Sequence, residues 1–210
     1  MEKPAPENAR VQLVAAAKKL FSRKGLDGTT VRELADEAGV NVSLVSYHFD
    51  GKEGLYRNCL EQFGRASLEA AGRVLQPPVS REELRVRVEM FVDELIRAHF
   101  NEPELSAMVL KECDKEFPVI EDIFRRTFLQ MFETLTRFFQ AAKKAGILGG
   151  HVDPFLAAGH LMSLVIHPLR MDLVARKFHR VTLSESVHRD RFKKHVVGTL
   201  LDGIAKEKTR

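Results

Sequence analysis

Eight histidines and two cysteines are the residues of this chain best suited to metal binding or nucleophilic attack, and their spacing argues against both uses. His160 and His167 are seven apart and could share a helix face, as could His188 and His195. Glu185-x-x-His188 is an E-x-x-H match, but a di-metal carboxylate bundle needs two such motifs and further Glu from other helices. The sequence holds no second one. Cys113 has no base near it in sequence, and Cys59 is far away. Two isolated cysteines make no disulfide framework and suit a reducing cytoplasm. No metal, no other cofactor and no catalytic set is expected.

A denser set of hydrogen-bonding groups lies in AGVNVSLVSYHFDGKEGLY, Ala38 to Tyr56. The elements that must position it are helical. A first helix is expected over 7–24, with Leu13, Ala17, Leu20 and Phe21 as its inward stripe and Gly25 as its stop. Thr30 with Glu33 reads as a capping box that starts a second helix. Leu34, Ala35 and Ala38 face inward on it, and Gly39 ends it by permitting positive φ. Asn41 or Ser43 caps a third helix that ends near His48. Asp50 with Glu53 repeats the box and starts a fourth helix to about residue 75. Two short helices joined by a tight turn have the shape of a unit that lies in a groove.

With these elements placed, residues from about Asn8 to Glu61 resemble the DNA-binding head of the tetracycline-repressor (TetR) family of bacterial transcription regulators. The matching residues are Phe21 and Gly25, Thr29-Thr30-Val31, Ala35-x-x-Ala38-Gly39-Val40, Tyr47-His48-Phe49 and Lys52-Glu53-x-Leu55. The resemblance implies that Thr30, Tyr47, His48 and Lys52 grip phosphates and that Val42, Ser43, Leu44 and Ser46 face base edges. The core of the helix-turn-helix would be Leu34, Ala35, Ala38, Gly39, Val40, Val45 and Phe49. A helix N-terminus such as that at Thr30 favours a phosphate, and hydroxyl and imidazole groups bond phosphate oxygens. The third helix has no Arg, Lys or Gln for bidentate base contacts, so modest direct readout is expected, with DNA shape contributing much of the specificity.

Beyond Pro77-Pro78 the pattern stays helical, with segments near 80–100, 103–114, 117–145, 153–178 (broken or kinked at Pro168) and 186–207. Phe117, Ile120, Phe124, Phe128, Phe132, Leu135 and Phe139 recur at helical spacing, first of all as core. The expected division is a head over 1–51, a connecting helix over 52–76 and a regulatory and dimerisation body over 77–210. The resemblance implies a small-molecule pocket in that body. His99, Met108, Phe128, Phe132, His160, His167 and Arg170 are its candidates, and each also reads as an ordinary core or interface residue. Val196, Leu200, Leu201 and Ile204 on the last helix are the candidate dimer stripe.

Apolar residues make up 44% of the chain, ample for a core. No apolar run approaches the ~18 residues of a membrane span, and the N-terminus lacks a secretory stretch. Net charge is +4, but residues 1–60 hold 9 Lys/Arg against 8 Asp/Glu while 176–210 hold 10 against 4. The excess sits away from the groove-reader, so whole-chain charge says little about DNA. The reading is an all-α, cytoplasmic, homodimeric regulator, a repressor that a small-molecule effector releases from a palindromic duplex. An activator of the same fold and an all-α enzyme with a structural head are the alternatives.

Overall fold

The computed structural model describes residues 6–117 and 119–204, with side chains described for 8–117 and 119–202. The chain is all-α, with no strand among the described residues. Its helices are α1 (Pro6–Lys24), α2 (Val31–Ala38), α3 (Ser43–Phe49), α4 (Gly51–Val74), α5 (Arg81–Asn101), α6 (Pro103–Cys113), α7 (Glu121–Phe124), α8 (Gln130–Lys144), α9 (Pro154–His179) and α10 (Ser186–Ile204). A π turn, Arg125–Leu129, joins α7 to α8. Among the described residues, no helix is long and apolar enough to cross a membrane.

Two compact units divide the chain. One holds residues 1–66 and 102–128, the other 67–101 and 129–210. In the first, α1, α2 and α3 pack on one another and α6 packs on α1. Its core includes Leu13, Phe21, Leu34, Val45, Leu55, Met108 and Ile123. Long-range polar contacts tie α6 and α7 into it. Lys18 holds both Glu102 oxygens at 2.7 and 2.8 Å, and Arg57 holds both Asp122 oxygens at 2.8 and 2.9 Å. The Tyr56 hydroxyl donates to Glu112 at 2.8 Å with both residues buried.

In the second unit α9 packs on α5, α8 and α10, and α10 on α5. Its core includes Phe91, Ile96, Phe138, Phe139, Leu161 and Val165. Val196, Leu200 and Leu201, expected as a dimer stripe, are only 2%, 4% and 1% exposed because α10 turns them into this core. The Ile204 side chain lies outside the described residues.

Two other expectations are corrected. The helix expected over 117–145 begins at Glu121 instead. Phe117 stands at φ 58°, and the π turn inserts one extra residue per turn before α8. The aromatic stripe therefore splits: Phe117, Phe124 and Phe128 stack in the first unit, while Phe132, Leu135 and Phe139 belong to the second. Asp50 does not start α4 from the extended backbone that a capping residue uses. It is the left-handed C-cap of α3, at φ 58°, ψ 39°. Helix α9 runs unbroken through Pro168.

Candidate nucleic-acid interface

The groove-reading candidate is built by two turns. At the first, Gly25 adopts φ 74° and its N–H closes α1 on Phe21 O. The fully buried Thr29 donates its hydroxyl to Gly25 O at 2.7 Å. Thr30 follows in extended backbone, φ −99°, ψ 154°, and completes the expected capping box. Its Oγ1 accepts from Glu33 N at 3.2 Å, while Glu33 Oε2 accepts from Thr30 N at 2.8 Å and from the Thr30 hydroxyl at 2.9 Å. Lys24 reaches the other Glu33 oxygen at 2.6 Å. That ammonium first, then the Thr30 amide and hydroxyl, hold the Glu33 carboxyl down to about 2. Thr30 thus has its hydroxyl and amide engaged by Glu33, and the following amides of Val31 and Arg32 remain as the helix-start donors for an anion.

At the second turn Gly39 takes φ 65°, ψ 32°, and its N–H and that of Val40 return to the end of α2, the left-handed C-cap pattern. Asn41 Oδ1 then accepts from Ser43 N at 2.9 Å and from the Ser43 hydroxyl at 2.8 Å. Helix α3 is anchored by Val45 and Phe49, both buried, as are Leu34, Ala35 and Ala38; Val40 packs against the same cluster, and Gly39 serves the turn.

What α3 leaves outside is Val42, Ser43, Ser46 and Tyr47, with Tyr47 77% exposed. Leu44 is half-buried and packs against the head core, so it offers only part of its surface to a base. His48 is half-buried and its Nε2 is enclosed without a partner, which leaves Nδ1 as its polar edge. Lys52, expected to hold a phosphate, donates instead to Leu26 O and Thr29 O, each at 3.0 Å. It clamps the loop that carries Thr30, and its charge stays beside the start of α2. Arg32, exposed at the second position of α2, was not singled out by sequence reasoning; a cation beside a phosphate-binding helix start is the signal that could have found it.

The residues expected to line an effector pocket do not converge. Met108 and Phe128 are buried in the first unit. His160, His167 and Arg170 are on the exposed side of α9, where His167 and Arg170 line an open groove with Met162, Ile166 and Met171. Phe132 meets Phe155 at 5.2 Å between ring centres. His99 is half-buried, and burial pushes its imidazole down while Asp172 opposes the shift. Glu185 and His188 pair with each other at 3.6 Å.

A family model described as bacterial regulatory proteins, tetR family, matches residues 13–59. The chain is 32% identical over 115 residues to a probable HTH-type transcriptional regulator, YttP, of Bacillus subtilis (strain 168), covering 53% of this chain and 54% of that one. It is 41% identical over 54 residues to the HTH-type transcriptional repressor KstR2 of Rhodococcus jostii (strain RHA1), 26% of each chain. The chain thus spans about half, or less, of the length of these relatives. The fold is similar to that of the ketosteroid transcriptional regulator KstR2 of Mycobacterium tuberculosis, with TM-score 0.72, 18% identity and coverage of 94% and 95%. The capped α2, the glycine turn and α3 all lie inside the segment that matches the tetR family of bacterial regulatory proteins, residues 13–59.

Proposed function

We propose that this chain is a sequence-specific DNA-binding transcriptional regulator. It would act as a cytoplasmic homodimer on a palindromic operator, as a repressor released by a small molecule. The observation that carries the reading is the outer edge of α3. Val42, Ser43, Ser46 and Tyr47 are exposed while Val45 and Phe49 lock the helix from within. A short helix held this way enters a major groove, with phosphate donors on its flanks. Two-fold operators require a two-fold protein, and the surface proposed for the second copy is the outer face of α9. Leu156, Met171, Val174 and Phe178 are all exposed there, Phe178 by 68%. Burying such a face in a copy of itself removes apolar surface from water.

The repressor assignment leans on the Rhodococcus relative, and the effector step on the family resemblance. His99 and Phe132, both half-buried in the second unit, are the remaining effector candidates. By linkage, effector and DNA weaken each other by the same factor.

The test selects palindromic duplexes from random DNA and follows binding by fluorescence anisotropy across salt, with Tyr47→Ala alongside. Tight binding to one palindrome, weakened by salt and by the substitution, supports the reading. Sequence-blind weak binding sinks it. Leu156→Glu with Val174→Glu should give monomers by sedimentation; a dimer that survives both removes α9 as the interface.

A further inference from the structure

Arg10 lies on α1, outside the helix-turn-helix, yet its guanidinium carbon stands 5.4 Å from the centre of the Phe49 ring. This contact ends a row of rings along the last turn of α3. Tyr47 meets His48 edge-on at 4.9 Å, and His48 meets Phe49 at 6.2 Å. Phe49 is buried and Arg10 exposed, so the ring holds the guanidinium from the protein side and leaves its N–H groups toward solvent. Three of the other four cations of α1 are already neutralised, Lys18 by Glu102, Lys19 by Glu37 and Lys24 by Glu33, and the fourth, Arg23, lies in the last turn, 13 residues on from Arg10. Among the described residues, Arg10 has no carboxylate at ion-pair distance.

We propose that Arg10 is a further DNA-contacting residue, donating to a backbone phosphate beside those reached by Tyr47 and His48. The inference rests on the DNA-binding reading above. A planar guanidinium suits a phosphate, and stacking on Phe49 restricts the side chain before the duplex arrives, which lowers the ordering cost. Its position on α1, away from the base-facing edge of α3, makes the contact one to the backbone. Such contacts position a protein without reading sequence.

The test measures anisotropy of the full chain with Arg10→Met, Arg10→Lys and Tyr47→Ala, on the selected operator and on a scrambled duplex, from about 50 to 200 mM salt. Methionine keeps an apolar stem on Phe49 and removes the charge. The expected result is that Arg10→Met flattens the plot of log affinity against log salt by about 0.9. It should weaken both duplexes by the same several-fold factor at low salt, with an unchanged melting temperature. Arg10→Lys should keep most of the slope. If Arg10→Met retains the full slope while Tyr47→Ala loses affinity, Arg10 does not touch DNA and the broader reading stands. If a lower melting temperature accounts for the loss, and Arg10→Lys shows the same slope as Arg10→Met, the contact with Phe49 is structural and the proposal falls. If neither Arg10→Met nor Tyr47→Ala alters binding, both readings fall together.

Discussion

Lys52 Nζ stands 3.0 Å from Thr29 O, joining the start of α4 to the residue before the α2 cap, and it makes an equal bond to Leu26 O. The expected phosphate ligand is thus a clamp on the loop that presents the phosphate site. Lys52→Met should therefore lower both stability and DNA affinity. Removing charge-assisted hydrogen bonds costs about 1.5–3 kcal/mol, measurable by urea unfolding. A variant of native stability that binds DNA less would instead show Lys52 acting on phosphate directly.

Gly64 marks where α4 and the π turn approach closely. A Cβ there would lie 2.5 Å from Thr127 Oγ1 and 2.8 Å from Thr127 Cβ. Thr127 is buried and its hydroxyl is tied to Ile123 O at 2.6 Å, so it has little room to yield. Gly64→Ala gains about 1 kcal/mol of helix propensity but overpacks a filled site at about 1–3 kcal/mol. The clash should win, and adding Thr127→Ala should recover most of the loss. A more stable Gly64→Ala single variant would disprove the close approach.

The Tyr56–Glu112 pair is buried, and Glu112 Oε2 has no partner. Burial first, and then Glu112, push the Tyr56 hydroxyl above its ordinary range. Tyr56→Phe strips Glu112 of its bond and should cost about 1–3 kcal/mol, whereas pairing it with Glu112→Leu should restore much of that. Calorimetry on the two single variants and the double variant reads this directly; additive losses would contradict it.

Glu33 contributes a pH dependence of known sign. Its carboxyl is held at about 2 instead of 4.5 by Lys24 and Thr30. A lowered carboxyl pKa adds stability above the unfolded value and loses it as pH falls through the folded one. The melting temperature of the wild type should therefore fall more steeply between pH 4.5 and about 2 than that of Glu33→Gln. Parallel curves would show that the box contributes nothing through its charge.

The start and end of α2 and the start of α3 were legible in the sequence because their causes are local. A hydroxyl and a carboxylate three residues apart make the Thr30–Glu33 box, and Gly39 supplies the left-handed turn. Asn41 caps two residues ahead, and the i, i+4 pair Val45 and Phe49 selects the buried side of α3. The stripe on α10 was equally legible as a stripe, but periodicity does not name the neighbour that covers it. Only the packing of α10 on α5 and α9 turned Val196, Leu200 and Leu201 into the second unit's core, leaving α9 to present the apolar outer face. The same holds for Lys52, whose partners lie 23 and 26 residues back, and for Arg10 over Phe49. It also holds for the membership of residues 102–128 in the unit that contains the head. Capping and turn chemistry act over three or four residues and are written in order along the chain. Which side chain meets which across tens of residues depends on how whole helices fill a common core, and that the tertiary structure alone decided.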